Sequence, residues 1–113
     1  MDAVFVELPA FDRRRADYIT DDEYRRLQQL LLVHPKVAPV IPGTGGLRKL
    51  RWASSAHNKG KQGGVRVIYY AWIGGQQFWL FAIYGKNEAS DLTESQKKAL
   101  KKMLEAELKA RKQ

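Results

Sequence analysis

The chain contains no cysteine, so neither a disulfide framework nor a thiolate metal site is available to it. Histidine is nearly missing as well, with only His34 and His57. Two imidazoles and scattered carboxylates make a dedicated metal site or a bound cofactor an unpromising expectation. No run approaches the roughly 18 apolar residues that a membrane span requires. No basic amphipathic helix carries Trp or Phe on its apolar side, so no membrane partner is expected. The opening MDAVFVEL lacks a basic region and a long apolar core. It is not read as a signal peptide, and a cytoplasmic location is the expectation.

The most informative absence is of negative charge. From Tyr24 to Asn87 there is no Asp or Glu over 64 residues, while ten cations occur. The net charge of +8 is therefore segregated. Residues 1–23 hold seven acids against three arginines, the middle is purely cationic, and the end mixes signs. One or two lysines on the open face of a sheet need no explanation. A cationic stretch with no balancing acid points to an anionic partner, with phosphates the first to test. An acidic protein partner fits the same charge pattern.

What is present supports one packed domain over residues 1–113, with 44% hydrophobic residues and twelve aromatics. Residues 3–8 predict a strand ended by Pro9, with both faces candidates for burial. A short helix is expected over 10–17, its three arginines mostly solvated. Thr20-Asp21-Asp22-Glu23 is a capping box opening a helix to about Val33, which Pro35 stops. Residues 35–46 carry three prolines and predict a loop, and their glycines match no phosphate-binding motif. Strands are expected over 47–53, 65–73 and 77–84 as an antiparallel meander, with Gly74-Gly75 as the hairpin signal. Alternation places Lys49 and Arg51 on one face of the first strand and Arg48, Leu50 and Trp52 on the other. In the last strand it groups Trp79, Phe81 and Ile83 against Phe78, Leu80, Ala82 and Tyr84. At least two of the three tryptophans are expected in the core. Thr93-Glu94-Ser95-Gln96 caps a final helix lined by Leu100, Met103, Leu104 and Leu108.

This α+β order, with FVE near the start, DDEYRRLQ, GTGGLRKLR, GGVRVIYY and YGKNEASDLT, resembles the HigB-type branch of RelE-like toxins in the RelE/ParE superfamily. The motifs span nearly the whole chain. The resemblance implies a RelE-like fold with an N-terminal strand, two N-terminal helices, a small antiparallel-meander sheet and a C-terminal helix. It also implies the toxin of a type II toxin–antitoxin pair, an endoribonuclease that cuts mRNA in the ribosomal A site without a metal. The ribose 2′-OH would attack the adjacent phosphate. The implied partners are the ribosome, mRNA and a cognate helix-turn-helix antitoxin.

Carried over residue by residue, the resemblance assigns Lys49 and Arg51 to the active strand, Arg66 to the next strand, and Lys86 with Asn87 to the segment after the last. Two departures stand out. Leu47 occupies a position that is basic in some members, and no tyrosine follows Tyr84, so the family's C-terminal acid/base residue has no counterpart.

The chemistry needs a base, a charge clamp and an acid. Arg66 and Arg51 suit the clamp, since a guanidinium holds two phosphate oxygens at once. Lys49 and Lys86 could assist or supply a proton. Glu88 and His57 are the conventional base candidates. Glu88 is more simply explained as a partner of Lys86, and His57 as a solvated loop residue. Arg48, Lys59, Lys61 and Tyr70 complete the expected RNA contacts, with Tyr70 or Trp72 bordering the site. Two other functions fit the same fold and charge: a gyrase-targeting ParE-like toxin and a non-catalytic nucleic-acid- or antitoxin-binding module.

Overall fold

The computed structural model describes residues 2–53, 64–86, 88 and 91–111. Seven elements follow in order: β1 (Val4–Glu7), α1 (Pro9–Tyr18), α2 (Asp21–Val33), β2 (Arg48–Trp52), β3 (Val65–Trp72), β4 (Gln77–Gly85) and α3 (Glu94–Arg111). The sheet order is β1-β4-β3-β2, with β1 parallel to β4 and the other pairs antiparallel. β1 is therefore an edge strand, and no residue in it is fully buried. Both faces are nonetheless partly covered, Phe5 packing against one core cluster and Val6 against the other.

Local chemistry fixes the helix starts. Pro9 sits in the first turn of α1, where its missing N–H costs nothing. Thr20 Oγ1 accepts from the Glu23 N–H at 3.1 Å, and Glu23 Oε1 accepts from the Thr20 N–H at 2.9 Å. The same reciprocal pair joins Thr93 and Gln96 before α3. α2 ends at His34, whose N–H reaches the Leu30 carbonyl. The following loop is tied down by Thr44, which donates to the Ile41 carbonyl and accepts from the Leu47 N–H.

The sheet is covered on both faces. α1 and α2 bring Phe11, Tyr18, Leu27 and Leu31 against Leu50, Val67, Tyr69, Phe78 and Leu80. The opposite face packs Leu47, Ile68, Trp79, Phe81 and Tyr84 beneath Leu104 of α3. Leu27 and Leu31 are fully buried, each contributing about 1.5–3 kcal/mol of transfer free energy. Trp79 is fully buried, while Trp52 and Trp72 are partly buried against the two clusters.

Two features of the β3–β4 hairpin differ from the sequence expectation. The turn spans residues 73–76, and its positive φ of 53° falls at Gln76 rather than at a glycine. Gly75 is needed for another reason: a Cβ there would come within 2.5 Å of the Trp72 ring. The second difference matters more. The register runs Ile68↔Ala82 but Tyr69↔Leu80, so Phe81 is an extra residue on β4. A bulge places two residues of one strand opposite one of the other and shifts the alternation beyond it. Ile83 therefore joins Phe78 and Leu80, while Ala82 and Tyr84 join Trp79 and Phe81. The expected face assignment is reversed from residue 82 onward.

Candidate nucleic-acid interface

The bulge brings Tyr84 to the face that carries the cations. Arg51 pairs with Arg66, and Arg66 pairs with Tyr84, in one row across β2, β3 and β4. Directly opposed residues have Cα atoms about 4.5–5.5 Å apart, so the row spans roughly 10 Å. In the adjacent row Lys49 lies opposite Ile68, which lies opposite Ala82. Two like charges directly opposed on one sheet face repel each other. An anion bound over Arg51 and Arg66 would relieve that repulsion.

The members of this group differ in access. Arg51 and Lys86 are exposed, Lys49 is half-buried, and Arg66 is only 5% exposed. Among the described residues none of Lys49, Arg51 and Lys86 forms a salt bridge. Arg66 donates through Nη1 to the Val65 carbonyl at 3.4 Å. Lys86 is held at the end of β4 by its own N–H, which reaches the Gly64 carbonyl at 3.3 Å. Gly64 has φ +73°, and a Cβ there would come within 2.5 Å of the Trp52 carbonyl oxygen. This close approach keeps β2, β3 and β4 aligned where the row sits.

Glu88 does not pair with Lys86. Its carboxylate accepts from Arg14 at 3.0 Å, from the Tyr18 hydroxyl and from the Gly85 N–H at 2.9 Å. The Glu88 N–H returns to the Gly85 carbonyl at 3.0 Å. Glu88 thus clasps the turn after β4 onto α1. Hydrogen bonds from Tyr18 and Gly85 and the nearby Arg14 charge outweigh partial burial and hold its pKa below the ordinary carboxylate value. An anchored, weakly basic carboxylate is poorly suited to take a proton from a ribose hydroxyl. The arginines of α1, expected to be mostly solvated, are partly engaged. Arg14 joins this clasp, and Arg15 pairs with Asp21 at 2.8 Å beneath the Tyr24 ring.

The clasp makes stability depend on pH at both ends. Glu88 stabilises the fold above the carboxylate range and loses that contribution as pH falls through its lowered folded value. Tyr18 is raised from 10.0 to about 12, chiefly by burial and then by its bond to Glu88. Its contribution is complete below pH about 10 and is lost as pH rises toward about 12. Thermal melting between pH 9 and roughly 12 is expected to show a falling Tm, with a shallower fall in Tyr18→Phe.

Two expected RNA contacts are placed elsewhere. Arg48 faces away from Lys49 and Arg51, and its guanidinium donates to the Ala38 carbonyl at 2.7 Å and the Lys36 carbonyl at 3.5 Å. It serves the loop after α2. Tyr70 shares the face of Arg66 but stacks 5.2 Å from the Trp79 ring within the cluster under α3. It belongs to the packing there. Trp72 likewise lies 5.4 Å from Trp79, at the far end of β3. His57, Lys59, Lys61 and Asn87 lie outside the described residues. Among the described residues no group of acids and histidines could hold a metal ion, and no helix is long and apolar enough to cross a membrane.

No protein-family model matches the chain. Among solved structures, the chain is similar to the E. coli toxin RelE, solved in its free state as a double arginine-to-alanine mutant. The TM-score is 0.53 with 14% sequence identity, over 80% of this chain and 90% of that one. The fold is RelE-like. At this identity the likeness concerns the backbone arrangement, and the RelE-like sheet carries the cationic row described above.

Three placements have no signal in the sequence: Tyr84 on the cationic face, and Arg14 and Tyr18 on Glu88. Alternation places Tyr84 on the opposite face from Trp79 and Phe81, because nothing in FWLFAIY signals a bulge. Arg14 and Tyr18 lie 74 and 70 residues from Glu88, a separation that no local pattern reports.

Proposed function

We propose that this protein is the toxin of a type II toxin–antitoxin pair and a ribosome-dependent mRNA endonuclease, of the HigB-type branch of RelE-like toxins. The observation that carries the proposal is the row Arg51–Arg66–Tyr84, flanked by Lys49 and Lys86, on a RelE-like sheet. The 2′-oxygen of the A-site ribose attacks the adjacent phosphorus, and the bond to the 5′-oxygen breaks. The products are a 2′,3′-cyclic phosphate and a 5′-hydroxyl. Negative charge grows on the phosphorane oxygens, and Arg51 and Arg66 meet it with guanidinium donors. Lys49 and Lys86 hold the flanking phosphates as point charges. Weak or no cleavage of free RNA is expected, because the ribosome supplies the alignment of the substrate. A cytoplasmic location follows from that substrate. A helix-turn-helix antitoxin would neutralise the cationic face by presenting acids to it.

Induced expression followed by mapping of mRNA 5′ ends tests this reading. Cuts within A-site codons are expected. A DNA-damage response without such cuts would assign the fold to gyrase poisoning instead, and harmless expression without a partner would leave only a binding module.

A further inference from the structure

We propose that Tyr84 is the proton donor to the leaving 5′-oxygen, an inference that rests on the endonuclease reading above. Tyr84 is 8% exposed, and its buried hydroxyl has no hydrogen-bond partner among the described residues. Buried hydroxyls are nearly always paired, so an unpaired one calls for an explanation outside packing. A side chain selected only to fill space here would be phenylalanine, which has the same shape without the desolvated hydroxyl.

The position supplies the explanation. Tyr84 stands directly opposite Arg66, on the face that the Phe81 bulge turns toward Arg51 and Lys49. It also lines a cleft of about 410 Å³ between the sheet and α3, with Arg14, Ile68, Ala82, Glu88 and Leu92. A phosphate held by Arg51 and Arg66 would therefore have Tyr84 as its neighbour in the row. Glu88 lines the same cleft, but its carboxylate is bound to Arg14 and Tyr18.

The chemistry balances. As the P–O5′ bond breaks, its electron pair stays on the 5′-oxygen, which takes the Tyr84 proton. The phenolate left behind faces the Arg66 guanidinium, and water returns the proton to it. The 2′-hydroxyl proton leaves to water. Burial raises the Tyr84 pKa and Asp91 adds to the rise, while Arg66 opposes it. The hydroxyl is therefore protonated at neutral pH, and it remains a far stronger acid than the sugar alcohol it protonates.

The test uses purified ribosomes carrying mRNA with either the natural A-site linkage or one whose bridging 5′-oxygen is replaced by sulfur. A thiolate leaves without a proton. Tyr84→Phe is expected to cut the oxygen linkage about 100-fold more slowly than wild type and the sulfur linkage at the wild-type rate. Its Tm should equal or exceed that of wild type, since an unpaired buried hydroxyl is removed. Equal rates on the oxygen linkage, or equal slowing on both linkages, would overturn the proposal. If wild type cuts neither linkage, the endonuclease reading itself fails and the role of Tyr84 falls with it.

Discussion

Arg66→Ala is expected to remove growth arrest on expression and to slow mRNA cleavage by about 100- to 1,000-fold, the usual cost of deleting a preorganised donor to developing charge. The size of the effect follows from position. Arg66 is central in the row, with Arg51 on one side and Tyr84 on the other. It is also largely shielded from water at 5% exposure, so its charge is screened less than those of Arg51 or Lys86. Arg66→Lys should retain part of the activity, because it keeps the charge and loses the two-pronged contact. The two variants together separate chemistry from folding. Loss of activity in Arg66→Ala, partial retention in Arg66→Lys and an unchanged melting curve in both assign Arg66 to the reaction. Full growth arrest by Arg66→Ala would remove the main support for the endonuclease reading.

The largest effect on stability is expected at Trp79. Its ring is fully buried between Tyr70 at 5.2 Å and Trp72 at 5.4 Å, and Arg111 of α3 lies over it at 5.6 Å. Its Nε1–H donates to Gln77 at 2.7 Å. Trp79→Ala would open a large void and unseat the C-terminal end of α3. The expected cost is about 3–5 kcal/mol, a large share of the roughly 5–15 kcal/mol that stabilises a domain. In a domain of this size that lowers Tm by roughly 15 °C. Calorimetry or circular dichroism would check it, and a shift of only a few degrees would mean that α3 is held by contacts other than this stack.

Much of this was legible in the sequence where the signal is local. The capping boxes at Thr20 and Thr93 are four-residue patterns with a direct mechanical meaning, and both form. The faces of β2 follow from alternation, because Leu50 and Trp52 differ in polarity from Lys49 and Arg51. β4 is different. Its residues from Phe78 to Tyr84 are all apolar or aromatic, so alternation carries no information and the bulge at Phe81 is silent. The partner of Glu88 is hidden for a related reason. Lys86 is nearest in sequence, but only the tertiary fold brings Arg14 and Tyr18 to the turn. Arg48 shows the remaining limit. Its charge was legible, yet the Lys36 and Ala38 carbonyls it satisfies depend on how the loop after α2 returns.

The central claim is that the Arg51–Arg66–Tyr84 row cuts mRNA on the ribosome. Its most direct test is the end chemistry of mRNA incubated with purified protein and programmed ribosomes. The expected result is a cut inside the A-site codon, with a 2′,3′-cyclic phosphate upstream and a 5′-hydroxyl downstream. The cut should be absent without ribosomes and lost in Arg66→Ala. Intact mRNA alongside gyrase trapped on cleaved DNA, or cuts that persist unchanged in Arg66→Ala, would contradict it.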